Sequence, residues 1–173
     1  MKNVTGTIIN CKELPYRAHG QYMIAFSFKK FDELANKELY DILTCRSEVF
    51  VVEQHCLYLD PDGKDIEALH LLGMENDKLV AYLRLFLPSS DCNHVIFGRV
   101  LTTKSVRSKG YGKKLIQEML KFCDNNLKSC DIECSAQVYL KKFYESFRFK
   151  AVGDVYDDAG IPHIKMIKSQ LHN

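Results

Sequence analysis

The chain has 173 residues, 46% of them hydrophobic and 27% charged, with a formal net charge of +2. That composition supports one globular domain with a sizeable core and excludes a disordered chain. The near-neutral balance gives no electrostatic case for nucleic acid or a membrane surface as partner. No run reaches the roughly 18 apolar residues of a membrane span, and the opening MKNVTGTIINCKEL lacks a signal peptide's apolar core, so a cytoplasmic location is expected. The seven cysteines (Cys11, Cys45, Cys56, Cys92, Cys123, Cys130 and Cys134) are odd in number and contain no CxxC pair. They read as small buried hydrophobes in a reducing compartment, not as zinc ligands or a disulfide framework, and no metal is expected.

In chain order, residues 1 to 20 form an unassigned N-terminal extension in which Thr7 to Ile9 has strand character while Pro15 and Gly20 break the pattern. The alternation of Tyr22, Ile24, Phe26 and Phe28 predicts a half-buried strand. Asn36 is a plausible helix N-cap, and Leu39, Ile42, Leu43, Arg46, Val49 and Phe50 follow at helical spacing. Gln54 to Asp65 reads as an irregular loop. Its DPDGKD stretch resembles part of a calcium loop, but the first and twelfth ligand positions would be Tyr58 and Leu69, so a solvated turn is expected.

Ala68 to Met74 and Leu79 to Leu87 predict a hairpin around Glu75 to Lys78, and His94 to Thr102 a third strand. A helix follows with Leu115, Ile116, Met119, Leu120 and Cys123 on its buried face, then a buried strand over Asp131 to Ala136. Gln137 to Phe147 predicts a second amphipathic helix, and Phe149 to Tyr156 with His163 to Ile167 a closing hairpin. The sum is a single α/β (α+β) domain over residues 21 to 173, with a mixed central sheet flanked by helices.

Between the third strand and its helix lies Arg107-Ser108-Lys109-Gly110-Tyr111-Gly112. Glycines let backbone N–H groups approach a ligand, and the helix start adds further N–H groups and the positive end of its dipole, so an anion such as a pyrophosphate fits there. Lys104, Arg107, Lys109, Lys113 and Lys114 crowd the same turn, either as part of that site or as a solvated helix face. The GxxxxGK[ST] phosphate loop is absent, and a lone GxG is shared with any tight turn.

The order strand, RxxGxG, basic helix, strand, then a helix carrying Phe143-Tyr144 resembles the GNAT N-acetyltransferase superfamily, whose acyl-CoA motif runs from a strand through [RQ]xxGx[GA] into a helix. The downstream pattern is met by Gln137, Tyr144 and Phe149, with Arg148 standing where the family has glycine. Arg46 to Gly63, Phe97 to Val100, Phe143 to Phe149 and Gly160 to Met166 are similar to the ElaA-like branch.

The resemblance implies an acetyl-CoA-dependent N-acetyltransferase that passes an acetyl group directly to a primary amine, on a small molecule or a protein lysine. It would act as monomer or homodimer. By resemblance, the backbone of Val100, Leu101 and Thr102 pairs with the pantetheine arm. The N–H groups from Ser108 through Lys109, Gly110, Tyr111, Gly112 and Lys113 hold the pyrophosphate, with charge from Arg107 and Lys113, and Gln137 borders the donor. Gly98 allows a bulge in the strand or is a packing glycine. Backbone N–H near Leu101 stabilises the oxyanion, and Tyr144 matches the family's general acid. Glu53, His70, Glu133 and His163 are candidates for the base, with His163 and Glu53 favoured on the acceptor side. Arg99 and His70 are acceptor-binding candidates, Arg99 alternatively anchoring a loop. A non-catalytic acyl-CoA sensor on the same fold, and a nucleotide-binding domain, are the competing readings.

Overall fold

A computed structural model describes residues 24–90, 92–127 and 130–170. The expectations for Thr7 to Ile9, and for Cys11, lie outside the described residues. Among the described residues, seven strands form one sheet in the order β1-β2-β3-β4-β5-β7-β6. The strands are β1 (Ala25–Lys30), β2 (Leu69–Glu75), β3 (Lys78–Phe86), β4 (Val95–Thr102), β5 (Ile132–Gln137), β6 (Lys150–Asp158) and β7 (Ile161–Lys168). Every pairing is antiparallel except β4 with β5. A parallel pair needs a long crossover, and α2 (Tyr111–Asn126) supplies it.

Two cores follow from period-2 alternation in the central strands. On one face, Leu71, Leu83, Leu85 and Phe97 pack against Leu115, Ile116, Met119 and Cys123 of α2, all essentially buried. On the other, Leu72, Tyr82 and Leu101 pack against Ile42, Cys45 and Val49. Those last three belong to a helix that starts as α1 (Asn36–Arg46) and widens into a π-helical segment (Ser47–Glu53). Asn36 is its first helical residue, not its cap. The start is secured by Glu38, whose carboxylate accepts the Ala35 N–H at 2.9 Å.

The second predicted helix is shorter than its pattern. Gln137 stays extended in β5, a 3₁₀ turn covers Val138–Leu140, and α3 spans only Lys141–Glu145. It ends because Phe147 and Phe149 both donate their N–H to the Tyr144 carbonyl while Arg148 turns left-handed at φ +69°. The family's glycine position therefore keeps its glycine-like backbone although an arginine occupies it.

Candidate active site

The site begins where two strands part. β4 and β5 pair from Val95–Ile132 to Phe97–Cys134 and no further, while β5 continues against β7 as far as Gln137. From Gly98 to Thr102 the edge of β4 facing β5 is thus unpaired backbone, a template for an added extended chain. On its other side, Tyr82 and Arg84 of β3 face Leu101 and Gly98, so the one residue between them on β3 opposes two on β4, and β4 bulges. The left-handed residue of the bulge is Arg99 (φ +53°). A side chain at Gly98 would meet nothing within 4 Å, so this glycine borders open space and does not serve close packing.

The opened edge leads into the glycine turn. Ser108 and Gly110 are both left-handed (φ +72° and +77°), and α2 starts at Tyr111. The first helical bond runs from Lys114 N–H to the Gly110 carbonyl at 3.2 Å. Gly110 has no side chain with which to cap the helix, so the first turn turns its N–H groups outward. Thr102, Val106, Arg107, Ser108, Gly110, Tyr111, Gly112, Lys113 and Phe143 line a cleft of about 380 Å³ there. The Tyr111 ring points inward instead, its hydroxyl donating to Glu75, and Lys109 reaches the same carboxylate at 3.2 Å. These two side chains are thus turned to Glu75, and the Lys109 N–H bonds the Val106 carbonyl at 3.2 Å, which leaves Arg107 and Lys113 as the cationic residues lining the cleft.

The end of the π-helical segment touches both lips of the gap. Glu53 pairs with Arg107 at 2.7 Å on the β4 side, and Gln137 Nε2 donates to Gln54 Oε1 at 3.1 Å on the β5 side. Tyr139 donates its hydroxyl to Gln137 Oε1, which fixes the amide. Tyr144 lies deeper, 4% exposed, against Phe97, Phe143 and Phe149. Burial pushes its phenol well above the ordinary range, so it is protonated throughout the physiological range. Its hydroxyl has no hydrogen-bond partner among the described residues, yet it is not a sealed atom, since Arg84 Nε alone among them is both fully buried and unpaired.

Beyond the gap, β5, β7 and β6 present a polar face. Ser135 shares a short hydrogen bond with the Tyr156 hydroxyl, and the Tyr156 and His163 rings stack at 6.1 Å. Glu133 is held by Lys165 at 2.9 Å and His94 at 3.3 Å. His163 Nδ1 lies 2.8 Å from the Ile161 carbonyl. A carbonyl only accepts, so Nδ1 carries the hydrogen and the neutral ring keeps its lone pair on Nε2. No described residue engages Nε2. His163 also sits opposite Gln137 in the β5–β7 register, beside the gap.

Two expectations are corrected. His70, a base and acceptor candidate, is 0% exposed, donating from Nε2 to the Asp65 carbonyl at 3.0 Å and accepting the Tyr82 hydroxyl at Nδ1 at 2.8 Å. Both ring nitrogens are occupied and burial lowers its pKa, so it is a neutral core residue out of reach of any acceptor. The DPDGKD stretch is not a solvated turn either. Asp60 and Asp65 are 2% and 8% exposed. Arg46, itself 0% exposed, donates to Asp60 at 2.6 Å and Asp65 at 2.7 Å. Arg84 reaches Asp62 at 2.6 Å and Asp65 at 2.8 Å. Arg99 Nε reaches Asp60 at 2.7 Å, its guanidinium lying over Phe50 and Tyr58. Three arginines and three aspartates thus pin the 54–68 loop onto the sheet, and of Arg99's two expected roles the geometry displays loop anchoring.

Sequence reading did not single out Phe143 as a cleft wall, Gln54 and Tyr139 as partners of Gln137, or the Ser135–Tyr156 pair. The signals were thin. Each side chain looks ordinary in its own segment, and its partner is far along the chain.

The chain is similar to known proteins over most of its length. The family model described as "Acetyltransferase (GNAT) domain" matches residues 46–170. A UPF0039 protein of Synechocystis is 44% identical over 145 residues, covering 83% of this chain and 94% of that protein. ElaA of Escherichia coli is 38% identical over 151 residues, covering 86% and 99%. Its crystal structure superposes with a TM-score of 0.79, covering 85% of this chain and all of that one. An acyl-CoA N-acyltransferase from Pseudomonas aeruginosa, 36% identical with the same coverage, gives 0.81. With a matched model over most of its length and relatives of this identity and coverage, the chain belongs to the GNAT acetyltransferase family, among its ElaA-like members.

Proposed function

We propose that the protein transfers an acetyl group from acetyl-CoA directly to a primary amine. The observation that carries this reading is the parting of β4 and β5 at Phe97 directly beside an outward-turned N–H cradle. An extended pantetheine arm matches the unpaired backbone of Val100 to Thr102. The pyrophosphate matches the N–H groups of Ser108 and of Gly110 to Lys113, the Lys109 N–H being bonded to the Val106 carbonyl, with Arg107 and Lys113 adding charge. The thioester then lies near Gly98, where the structure is open.

The acceptor must lose a proton before it attacks. We assign that step to His163 Nε2, a reading supported by the Ile161 carbonyl, which holds the hydrogen on Nδ1. Glu53, the other favoured base, lies on the β4 lip beside Arg107, on the donor side of the gap, and is not assigned that role. As the C–N bond forms and the C–S bond breaks, negative charge develops first on the carbonyl oxygen, near the β4 backbone N–H groups that face the gap, and then on the departing sulfur. Tyr144 stabilises the thiolate. With its pKa raised by burial it keeps its proton and acts as a hydrogen-bond donor to the thiolate.

The test is acetyl-CoA with a panel of polyamines, aminoglycosides, amino sugars and lysine peptides, following release of free thiol. Tyr144→Phe should lower kcat with the best acceptor by about 10²-fold while CoA affinity stays unchanged. An unchanged rate overturns the role of Tyr144. Absence of thiol release with every amine, together with intact CoA binding, favours a non-catalytic acyl-CoA sensor.

A further inference from the structure

Arg107 faces two demands at once. It lines the cleft that the glycine turn opens onto, yet its guanidinium is paired with Glu53 at 2.7 Å. The two side chains are 43% and 33% exposed, and an ion pair that wet is weak and exchangeable. A pyrophosphate offers a guanidinium several charged oxygens in a geometry suited to bidentate bonding. A donor in the cleft therefore outcompetes one carboxylate for Arg107. Glu53 cannot retire far, because the next residue, Gln54, is tied across the gap to Gln137 at 3.1 Å.

We propose that Glu53 is a counterion displaced by the donor: CoA takes Arg107 from it, and the freed carboxylate, held at the mouth of the gap by Gln54–Gln137, recruits an acceptor bearing an ammonium group. This rests on the CoA reading of the cleft. In the empty enzyme the acceptor entrance is electrically neutral at this point, Glu53 and Arg107 cancelling each other. In the donor complex it carries a net negative charge beside the polar face of β5 and β7. A cationic amine is then attracted when an acyl group is there to receive it, and a carboxylate-bearing acceptor is disfavoured.

The hand-off is read by calorimetric titration of CoA into wild type, Glu53→Gln, Arg107→Ala and the double variant. Removing the competing carboxylate should tighten CoA binding roughly two- to fivefold, the scale of an exposed ion pair. The gain should vanish in the Arg107→Ala background. An equal or weaker affinity for Glu53→Gln, or a gain that survives without Arg107, overturns the proposal. Coupling of Glu53 to glycine ethyl ester by carbodiimide, quantified by mass spectrometry, gives a second readout. Labelling should rise several-fold on saturation with CoA, and unchanged or reduced labelling overturns the displacement. A wild type that binds no CoA removes the donor reading and this inference together, whereas normal CoA binding with unmoved variants removes only the inference.

Discussion

Replacing Arg46 tests whether the charge network on the helix α1 face holds the molecule together. Its guanidinium is fully buried and bonds to Asp60 at 2.6 Å, Asp65 at 2.7 Å and the Asp60 carbonyl at 3.1 Å. Arg46→Met keeps the volume and removes the charge, leaving two arginines for three aspartates. Removing one partner of a buried pair costs about 3–5 kcal/mol. Asp60 retains Arg99 at 2.7 Å and Asp65 retains Arg84 at 2.8 Å, which places the loss near the lower end, about 3 kcal/mol. For a domain of this size that corresponds to a fall of about 6–12 °C in Tm. Urea unfolding followed by far-ultraviolet circular dichroism at pH 7 measures it. Adding Asp60→Asn restores the charge balance and should recover part of the loss, and the penalty should shrink on acidification, as a surplus carboxylate takes up a proton. A loss below about 1 kcal/mol, in the range of exposed pairs, or one that is the same at pH 4 and pH 7, refutes the reasoning.

Further outcomes follow from single positions. Gly110→Glu sets a carboxylate at the helix start beside the cleft and should weaken CoA at least about tenfold by charge repulsion alone; Gly110→Ala, measured alongside, separates that effect from the strain of a side chain at φ +77°, and retained affinity in the Glu variant would show that the donor lies elsewhere. Arg148→Gly relieves a left-handed arginine and should raise stability by about 0.5–1 kcal/mol after the unfolded chain's extra entropy is subtracted, visible as a small rise in Tm; a fall would mean that the arginine side chain earns its strained backbone. Acid should destabilise the protein in two steps. His70 is lowered by burial from its ordinary 6.5, so its contribution is whole above that value and is lost as the pH falls below it. Asp62, held down by hydrogen bonds from Arg84, and Asp65, where Arg84 and Arg46 outweigh the upward push of burial, contribute fully above about pH 4 and lose that contribution below it. Calorimetric Tm against pH reads both steps, and His70→Gln should abolish the upper one.

The glycine turn was legible because its physics is local. Arg107 to Lys113 are contiguous, and glycines at a strand-to-helix turn dictate outward N–H groups whatever surrounds them. The strand alternation and the apolar face of α2 were equally readable, since both periods are properties of one segment. The limits of the second helix were not. Gln137 fits a helical pattern, but its pairing with His163 and its bond to Gln54 keep it extended.

What only the tertiary structure decided is where the charged side chains find their partners. A pattern reading treats Asp60, Asp62 and Asp65 as solvated because charge in water is the cheaper default. Three arginines from α1, β3 and β4 converge on them and reverse that default. The same holds for Glu53, met by Arg107 from a distant segment, and for His70, enclosed by Tyr82 and the Asp65 carbonyl. The sequence by itself determined a glycine turn at a helix start and the strand beside it. The fold decided which carboxylate faces the turn's arginine, which histidine keeps a free lone pair, and that β4 and β5 part at Phe97, because each depends on distances between residues that the chain order does not bring together.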